Sequence, residues 1–298
     1  MSLKLFFLRR MLARGDAKRD ASLKIPEGVE IYKDINYLGN NDKWNCLDVY
    51  QKKDAKEPVP TIISIHGGAY IYGTKENYKY YGMYWATEGF TFVNFNDHLA
   101  PKNKFPGQLK EINDVMLWVS KNADKYHIDK NNIFLIGDSA GAQMCSHYAA
   151  IYSNSVYEEL FPFSTPKDLK IRALALNCGT YNITPDTVGK SPSCITQDLF
   201  DMYVEKVDDK TLERLKVLEN VTADYPPSFI MTSYYDFLKD NAEPMYNFLK
   251  GKGISTRYKC YGTKEQKYMA HVCNVNMKLD EAKEICQDEI NFFKEFVQ

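Results

Sequence analysis

The sequence lacks any apolar run close to the roughly 20 residues that a membrane-spanning helix needs. It also lacks an excess of either charge, since 38 basic and 39 acidic residues leave a formal net charge of −1. No basic field is therefore available to hold nucleic acid. Internal repeats and low-complexity segments are missing, and with 44% hydrophobic and 26% charged residues the composition excludes disorder, collagen-like repeats and coiled coils.

Motifs for cofactors and metals are missing as well. No G-x-G-x-x-G follows a predicted strand, and no phosphate-binding loop with Gly-Lys-Ser/Thr occurs. The five histidines and seven cysteines never take zinc-ligand spacings, so we expect neither a metal nor a cofactor. An odd number of cysteines without CxxC pairs predicts reduced, mostly buried thiols in a cytoplasmic protein.

The N-terminal segment is too weakly apolar to be an export signal. Its continuous apolar stretch, Leu5–Leu8, is shorter than a secretory signal requires, and no small-residue cleavage site follows before Gly15. Two sets of apolar residues recur at helical spacing and predict a helix with a broad apolar side: Leu5, Leu8 and Leu12, and Leu3, Phe7 and Met11. Such a helix suits a lid over a binding site and suits equally a basic amphipathic helix on an anionic membrane.

Apolar, β-branched runs alternate with helical patterns along most of the chain, which is typical of an α/β protein with a mainly parallel sheet. The predicted strands are Val29–Tyr37, Trp44–Tyr50, Thr61–His66, Thr91–Asn96, Asn132–Ile136, Ile171–Leu176, Ser228–Thr232 and Thr256–Tyr261. The predicted helices are Gln108–Lys125, Ala140–Tyr152, Asn241–Lys250 and Leu279–Val297. We expect one domain over residues 1–298, with residues 1–25 and 181–220 as cap elements because they fit the alternation poorly.

The pentapeptide Gly137–Gly141 has the pattern G-x-S-x-G and lies between a predicted strand and a predicted helix. In a serine hydrolase this turn lifts the serine hydroxyl clear of the sheet, and the glycines let the two backbones pass closely. We therefore expect Ser139 to be a nucleophile. The alternative is a serine with a purely structural place in a turn.

A second motif, His66–Tyr70, reads H-G-G-A-Y and also follows a predicted strand. Acyl transfer needs backbone N–H groups directed at the oxygen that becomes negative in the transition state. Gly67 and Gly68 have no side chain that would obstruct a substrate, and Ala140 begins a helix. We expect these three amides to form an oxyanion hole, although a Gly-Gly pair alone is more often only a turn.

A nucleophilic serine needs a base, and the base needs a carboxylate that orients it. In this architecture the chain order is serine, acid, histidine, each after a strand. Asp236 follows the predicted strand Ser228–Thr232, and His271 is the one histidine beyond it. We expect these two residues to be the acid and the base. His98, in the loop after another strand, is the competing candidate for the base.

Together with N-D-H-L-A-P at residues 96–101 and D-F-L-K-D at residues 236–240, these motifs resemble the hormone-sensitive-lipase-like branch of α/β-hydrolase esterases over about residues 45–298. The resemblance implies an eight-stranded, mostly parallel sheet flanked by helices. It also implies a helical cap, made by the N-terminal segment and an insertion after the sixth strand, and so favours the lid for residues 1–25. Family members commonly carry D-Y-R-L-A-P, and His98 stands at the position of that arginine.

The sequence thus predicts a cytoplasmic serine hydrolase that cleaves carboxylic esters through an acyl-enzyme intermediate, with the short to medium acyl chains that the resemblance implies. The expected partner is a small ester substrate. Nucleic acid and a membrane-spanning segment are not expected, and a homodimer is left open. Two alternatives survive, namely an amidase or formamidase with the same triad and a non-catalytic small-molecule binding protein on this fold.

Overall fold

The structure is a computed structural model that describes residues 3–298. Residues 1 and 2 of the predicted cap segment therefore lie outside the described residues. The strands are β1 Val29–Asn36, β2 Cys46–Lys52, β3 Val59–Ile65, β4 Thr91–Phe95, β5 Ile128–Asp138, β6 Ile171–Asn177, β7 Ser228–Ser233 and β8 Thr256–Tyr261. Each predicted strand is found, and the largest difference is β5, which begins earlier and extends to Asp138.

The eight strands of the described residues form one sheet in the order β1-β2-β4-β3-β5-β6-β7-β8. The pairs β1–β2 and β2–β4 are antiparallel, and the other five pairs are parallel. The prediction of an eight-stranded, mostly parallel sheet is confirmed. Because the carboxyl ends of the parallel strands meet at one edge, the loops after β3, β5, β7 and β8 are brought together there.

Helices flank the sheet on both sides. They are α1 Leu3–Asp20, α2 Lys79–Thr87, α3 Gly107–Asn122, α4 Ala140–Ser153, α5 Ser155–Glu158, α6 Gln197–Tyr203, α7 Asp209–Leu215, α8 Ala242–Gly251 and α9 Asp280–Lys294. The four predicted helices correspond to α3, α4, α8 and α9. Helix α2 is not among the predicted helices. Four of its nine residues are aromatic, and it buries Tyr81, Met83 and Trp85.

Each face of the sheet carries its own apolar core. Ile63 of β3 packs in the core that contains the buried side chains of α3, α4 and α8. Its neighbour Ile62 packs in the core that contains those of α2 and α9. Successive residues of a strand point to opposite faces, so continuous apolar strands such as Ile133–Ile136 supply both cores at once.

The two segments predicted as cap elements contain helices that lie outside the sheet layers. Helix α1 lies within residues 1–25, and α6 and α7 lie within residues 181–220, after β6. Thr196 and Asp208 accept hydrogen bonds from backbone amides at the starts of α6 and α7, which accounts for where these short helices begin. The chain between β6 and β7 therefore contains two short helices within residues 181–220.

Candidate active site

The candidate nucleophile occupies a sharp turn between β5 and α4. Strand β5 ends at Asp138, α4 begins at Ala140, and Ser139 between them has φ 54° and ψ −120°. A Cβ at Gly141 would lie 2.1 Å from the carbonyl oxygen of Ile65, which only glycine avoids. The motif therefore has the strand, turn and helix that the sequence predicts for it.

The side chains of Ser139, His271 and Asp236 form one continuous hydrogen-bonded row. Nε2 of His271 is 3.0 Å from Oγ of Ser139. Nδ1 of His271 is 2.6 Å from Oδ1 of Asp236. Because the carboxylate only accepts, Nδ1 is the donor to Asp236, and Nε2 is left to accept from the serine hydroxyl.

Asp236 is held as a carboxylate by several donors. It is 3% exposed, lies just after β7 and accepts from the Thr232 hydroxyl at 2.7 Å and from the Leu238 amide at 2.9 Å. Burial raises the pKa of Asp236, but the hydrogen bond and charge of His271 and the other donors lower it by more, so its pKa lies below the ordinary value. The group beside the imidazole is thus negative at neutral pH.

The glycine loop after β3 differs in one contact from its predicted role. Gly67 lines the cavity, but its amide donates to the Tyr78 hydroxyl at 2.9 Å, a hydrogen bond that competes with the oxyanion role that the sequence predicts for this amide. Gly68 lies at the cavity wall with φ +113°, and a Cβ there would be 2.1 Å from the carbonyl oxygen of Tyr72. The sequence could not indicate this hydrogen bond, because Tyr78 lies 11 residues further along the chain and meets the Gly67 amide only in the folded protein.

Tyr78 also joins this loop to the serine turn. Its hydroxyl donates to Oδ2 of Asp138 at 2.9 Å while it accepts from the Gly67 amide. Burial raises the pKa of Asp138 to about 6, although the bond from Tyr78 works in the opposite direction. The residue before the serine therefore positions the glycine loop through one tyrosine, a role that no local pattern around Tyr78 signals.

His66 and His98 have structural partners away from Ser139. His66 contacts Asp97 at 2.7 Å and the Gly67 carbonyl at 2.8 Å, so it braces the glycine loop. His98 contacts Glu111 at 2.7 Å and Asp42 at 3.0 Å. His98 thus anchors its own loop at the position where family members commonly carry arginine.

His147, in helix α4, is unavailable for proton transfer to Ser139. His147 lies two turns along α4, fully buried, with the Tyr157 hydroxyl 2.9 Å from its Nε2. Burial lowers the pKa of His147 to about 3, so the ring is neutral and part of the core.

A cavity of about 610 Å³ lies in front of Ser139 and His271. The candidate cap helices form part of its wall, with Leu8 and Leu12 of α1 and Leu199 of α6. Gly68, Phe237, Tyr268 and Asn276 are among the other residues that line it. A cavity of this size and largely apolar character suits a small organic molecule.

Helix α1 is tied to the rim of the cavity by charged residues that sequence reasoning missed. Asp16 accepts from the Tyr72 hydroxyl at 2.5 Å and from the Asn77 side chain at 2.8 Å. Arg19 pairs with Asp16 at 3.1 Å and donates to the Asn77 carbonyl at 2.5 Å. These partners lie about 60 residues away along the chain, so no spacing in the sequence could have indicated them.

One group of metal-ligating atoms lies within the described residues. The ligand atoms of Cys178, Asp236 and His271 all lie within 4.8 Å of one another. Asp236 and His271 already bond each other, and burial raises the pKa of the Cys178 thiol well above its usual range. A metal ion at this position would have to break the hydrogen bond between Asp236 and His271.

The comparisons with known proteins agree with this architecture. Residues 47–242 match the protein family BD-FAE. Esterase LipC of Mycobacterium tuberculosis is 24% identical over 203 residues, which cover 65% of this chain and 49% of LipC. An acetyl esterase of Salmonella paratyphi B is 26% identical over 217 residues, which cover 67% of this chain and 62% of that protein. The chain thus spans about half to two thirds of the length of these relatives.

Solved structures extend the similarity to nearly the whole chain. Esterase B from Lactobacillus rhamnosis superposes with a TM-score of 0.88 at 23% identity, covering 98% of this chain and 94% of that one. The esterase of Pyrobaculum calidifontis superposes with a TM-score of 0.76 at 21% identity, covering 98% and 94%. The fold is therefore the α/β-hydrolase fold of the carboxylesterases, as the sequence predicts.

Proposed function

The chain belongs to the BD-FAE family, and on that premise we propose that it is a serine carboxylesterase acting through an acyl-enzyme intermediate. Ser139 is the nucleophile, His271 the base and Asp236 the orienting acid in this proposal. The observation that carries it is the unbroken row of contacts at 3.0 Å and 2.6 Å that ends at the cavity. That row has the geometry that a nucleophile, base and orienting carboxylate require.

In the acylation step, Ser139 Oγ attacks the ester carbonyl carbon while His271 Nε2 takes the hydroxyl proton. Asp236 stabilises the imidazolium that forms and keeps Nδ1 protonated. His271 then gives the proton to the leaving alcohol as the tetrahedral intermediate collapses to the acyl-enzyme. Water repeats the sequence with His271 again as base, which releases the acid and restores Ser139.

The oxyanion formed in each step is held by backbone amides. Those of Gly68 and Ala140 are the candidates, and the position of Ala140 at the start of α4 adds the favourable end of a helix dipole. Gly67 contributes through its carbonyl and its amide, which hold the loop against His66 and Tyr78. Removing one such amide donor typically costs a factor of about 10²–10³ in turnover.

Short to medium acyl chains suit the cavity of about 610 Å³. Its leucine wall comes from α1 and α6, so we propose that residues 1–25 and 181–220 act as a cap that shapes the acyl and alcohol sites. Deletion of residues 1–25 should change the ratio of kcat/KM for a short and a longer acyl ester, because Leu8 and Leu12 leave the wall. An unchanged ratio in a folded, active deletion variant would contradict the cap.

The test of the function uses aryl esters with Ser139→Ala and His271→Ala, each expected to lose about 10⁴–10⁶ in kcat, because triad residues act as a unit. His98→Gln and the exposed-site control Ser155→Ala should retain activity. Brief reaction with an aryl acetate should leave an acetyl group on the peptide that carries Ser139. A Ser139→Ala enzyme that keeps a tenth of the activity would refute the assignment.

The same assay separates the two alternative functions. Turnover of an aryl acetamide at a rate comparable with the aryl acetate would indicate an amidase. A wild-type protein that binds esters without turnover or acetylation would indicate a non-catalytic binding protein on this fold.

A further inference from the structure

Helix α1 carries an unusual share of the exposed apolar surface. Of the 15 large hydrophobic side chains that are exposed in the described part of the chain, six lie between residues 3 and 12. A soluble protein usually scatters such residues singly, and a concentration of them marks an interaction surface.

Five of these six side chains belong to one of two faces of α1, and Phe6 belongs to neither. Leu5 is buried, and Leu8 and Leu12 line the cavity, so this face is turned toward the body of the protein. Leu3, Phe7 and Met11 recur every four residues on the other face and are 71%, 59% and 62% exposed. The inner residues pack on the protein and line its cavity, as a cap requires. The outer residues are exposed and are not among those that line the cavity, so the cap does not explain them.

Every charged side chain on the outer face of this part of α1 is basic. Lys4, Arg10 and Arg14 are exposed and lie beside the Leu3, Phe7 and Met11 stripe in the helical projection. Residues 1–15 contain no Asp or Glu. The first acidic residue, Asp16, is turned inward to Tyr72.

The positive charge of this outer face of α1 limits which kinds of partner can bind to it. In a symmetric contact with a second copy, the same basic side chains would face one another and repel. A surface that offers apolar chains beneath negative headgroups satisfies both the apolar stripe and the cations. None of the described helices is both long enough and apolar enough to cross a membrane, so such a helix would lie along the surface.

We propose that the outer face of α1, formed by Leu3, Lys4, Phe7, Arg10, Met11 and Arg14, docks on an anionic lipid surface. The bonds of Asp16 and Arg19 to the cavity rim hold the helix in place. Docking therefore brings the cavity and its cap to the lipid surface without opening the fold. This inference rests on α1 itself and does not depend on the proposed ester hydrolysis.

The test is co-sedimentation of the full chain with vesicles of phosphatidylcholine, with and without phosphatidylserine. The wild type should bind the mixed vesicles, and Phe7→Ser/Met11→Ser and Arg10→Glu/Arg14→Glu should each lower binding at least about tenfold. Raising the salt concentration should release the wild type, since exposed charges are screened.

Matched controls make the same changes elsewhere. Val156→Ser/Val207→Ser removes two exposed apolar side chains, and Lys53→Glu/Lys56→Glu reverses two exposed cations. Both control variants should bind like the wild type. All four variants should unfold at the urea concentration at which the wild type unfolds, which shows that they are folded whether or not the protein hydrolyses esters.

Several results would overturn the proposal. They are a wild type that fails to sediment with the mixed vesicles, equal binding to neutral vesicles, or equal losses in the control variants. A change from dimer to monomer in Phe7→Ser/Met11→Ser, without vesicle binding by the wild type, would assign the face to a second copy. Vesicle binding by a wild type that hydrolyses no ester would uphold docking and refute the proposed function.

Discussion

The replacement Glu289→Gln should make the protein more stable at alkaline pH and leave it almost unchanged in acid. Glu289 lies in α9, is fully buried, and has the Tyr81 hydroxyl 3.4 Å from its Oε2. Burial and, to a smaller extent, the negative charges of Asp288 and Asp138 raise the pKa of Glu289 to about 8. Hydrogen bonds with Asn177 and Tyr81 act in the opposite direction and lower this pKa. The folded protein therefore keeps this carboxyl protonated at neutral pH.

The size of the effect follows from the pKa difference between the folded and unfolded states. A rise from 4.5 to about 8 corresponds to about 5 kcal/mol, since each pKa unit is worth about 1.4 kcal/mol. Because the folded state holds the proton more tightly, this contribution to stability is complete below about pH 4.5 and is lost as the pH rises through about 8. Glutamine has nearly the same shape, can accept from Tyr81 and cannot ionise.

The assay is urea unfolding of the wild type and of Glu289→Gln from pH 5 to pH 9. The difference in unfolding free energy between them should increase by about 1.4 kcal/mol per pH unit and level off near pH 8, at about 5 kcal/mol in favour of the variant. Glu205→Gln, at an exposed position, should follow the wild type at every pH. Parallel curves for Glu289→Gln and the wild type would refute the reasoning.

Two further predictions concern stability and the serine turn. Lys75 is 2% exposed and pairs with Asp48 at 2.8 Å and with Glu76 at 2.9 Å. Lys75→Met should lower the unfolding free energy by about 3–5 kcal/mol, because the buried Asp48 loses its cation and keeps only the hydrogen bonds from the Asp34 amide and the Tyr50 hydroxyl; a urea midpoint equal to that of the wild type would contradict this. Gly141→Ala places a Cβ 2.1 Å from the Ile65 carbonyl oxygen and should cost at least about 2 kcal/mol and lower ester turnover, whereas Gly251→Ala, with open space around it, should do neither.

Some features of the site could be predicted because local chemistry determines them. The turn at Ser139 needs glycine at positions 137 and 141, where any side chain would strike backbone atoms, so the motif and its geometry imply each other. His271 could be selected because chain order in this architecture leaves one histidine after Asp236. In the structure, His271 contacts both Ser139 and Asp236. The competing His98 instead contacts Glu111 and Asp42.

Other features could not be predicted because they depend on residues that meet only after folding. The Tyr78 hydroxyl occupies the Gly67 amide and reaches Asp138, 60 residues further along the chain. Nothing in the sequence around Tyr78 distinguishes it from the other 21 tyrosines of the chain. Similarly, the stripes Leu5, Leu8, Leu12 and Leu3, Phe7, Met11 predict a helix, but which stripe faces the cavity follows from the anchoring of Asp16 and Arg19.

The sequence by itself determined the fold class, the strands and the candidate triad. Buried strands need continuous apolar runs, and a serine turn needs its glycines, so both leave patterns that are readable over a few residues. The tertiary structure alone decided the partners of Gly67, the depth and pKa of Glu289 and the division of α1 into an inner and an outer face. These properties depend on desolvation and on contacts between distant segments, and neither exists until the chain has folded.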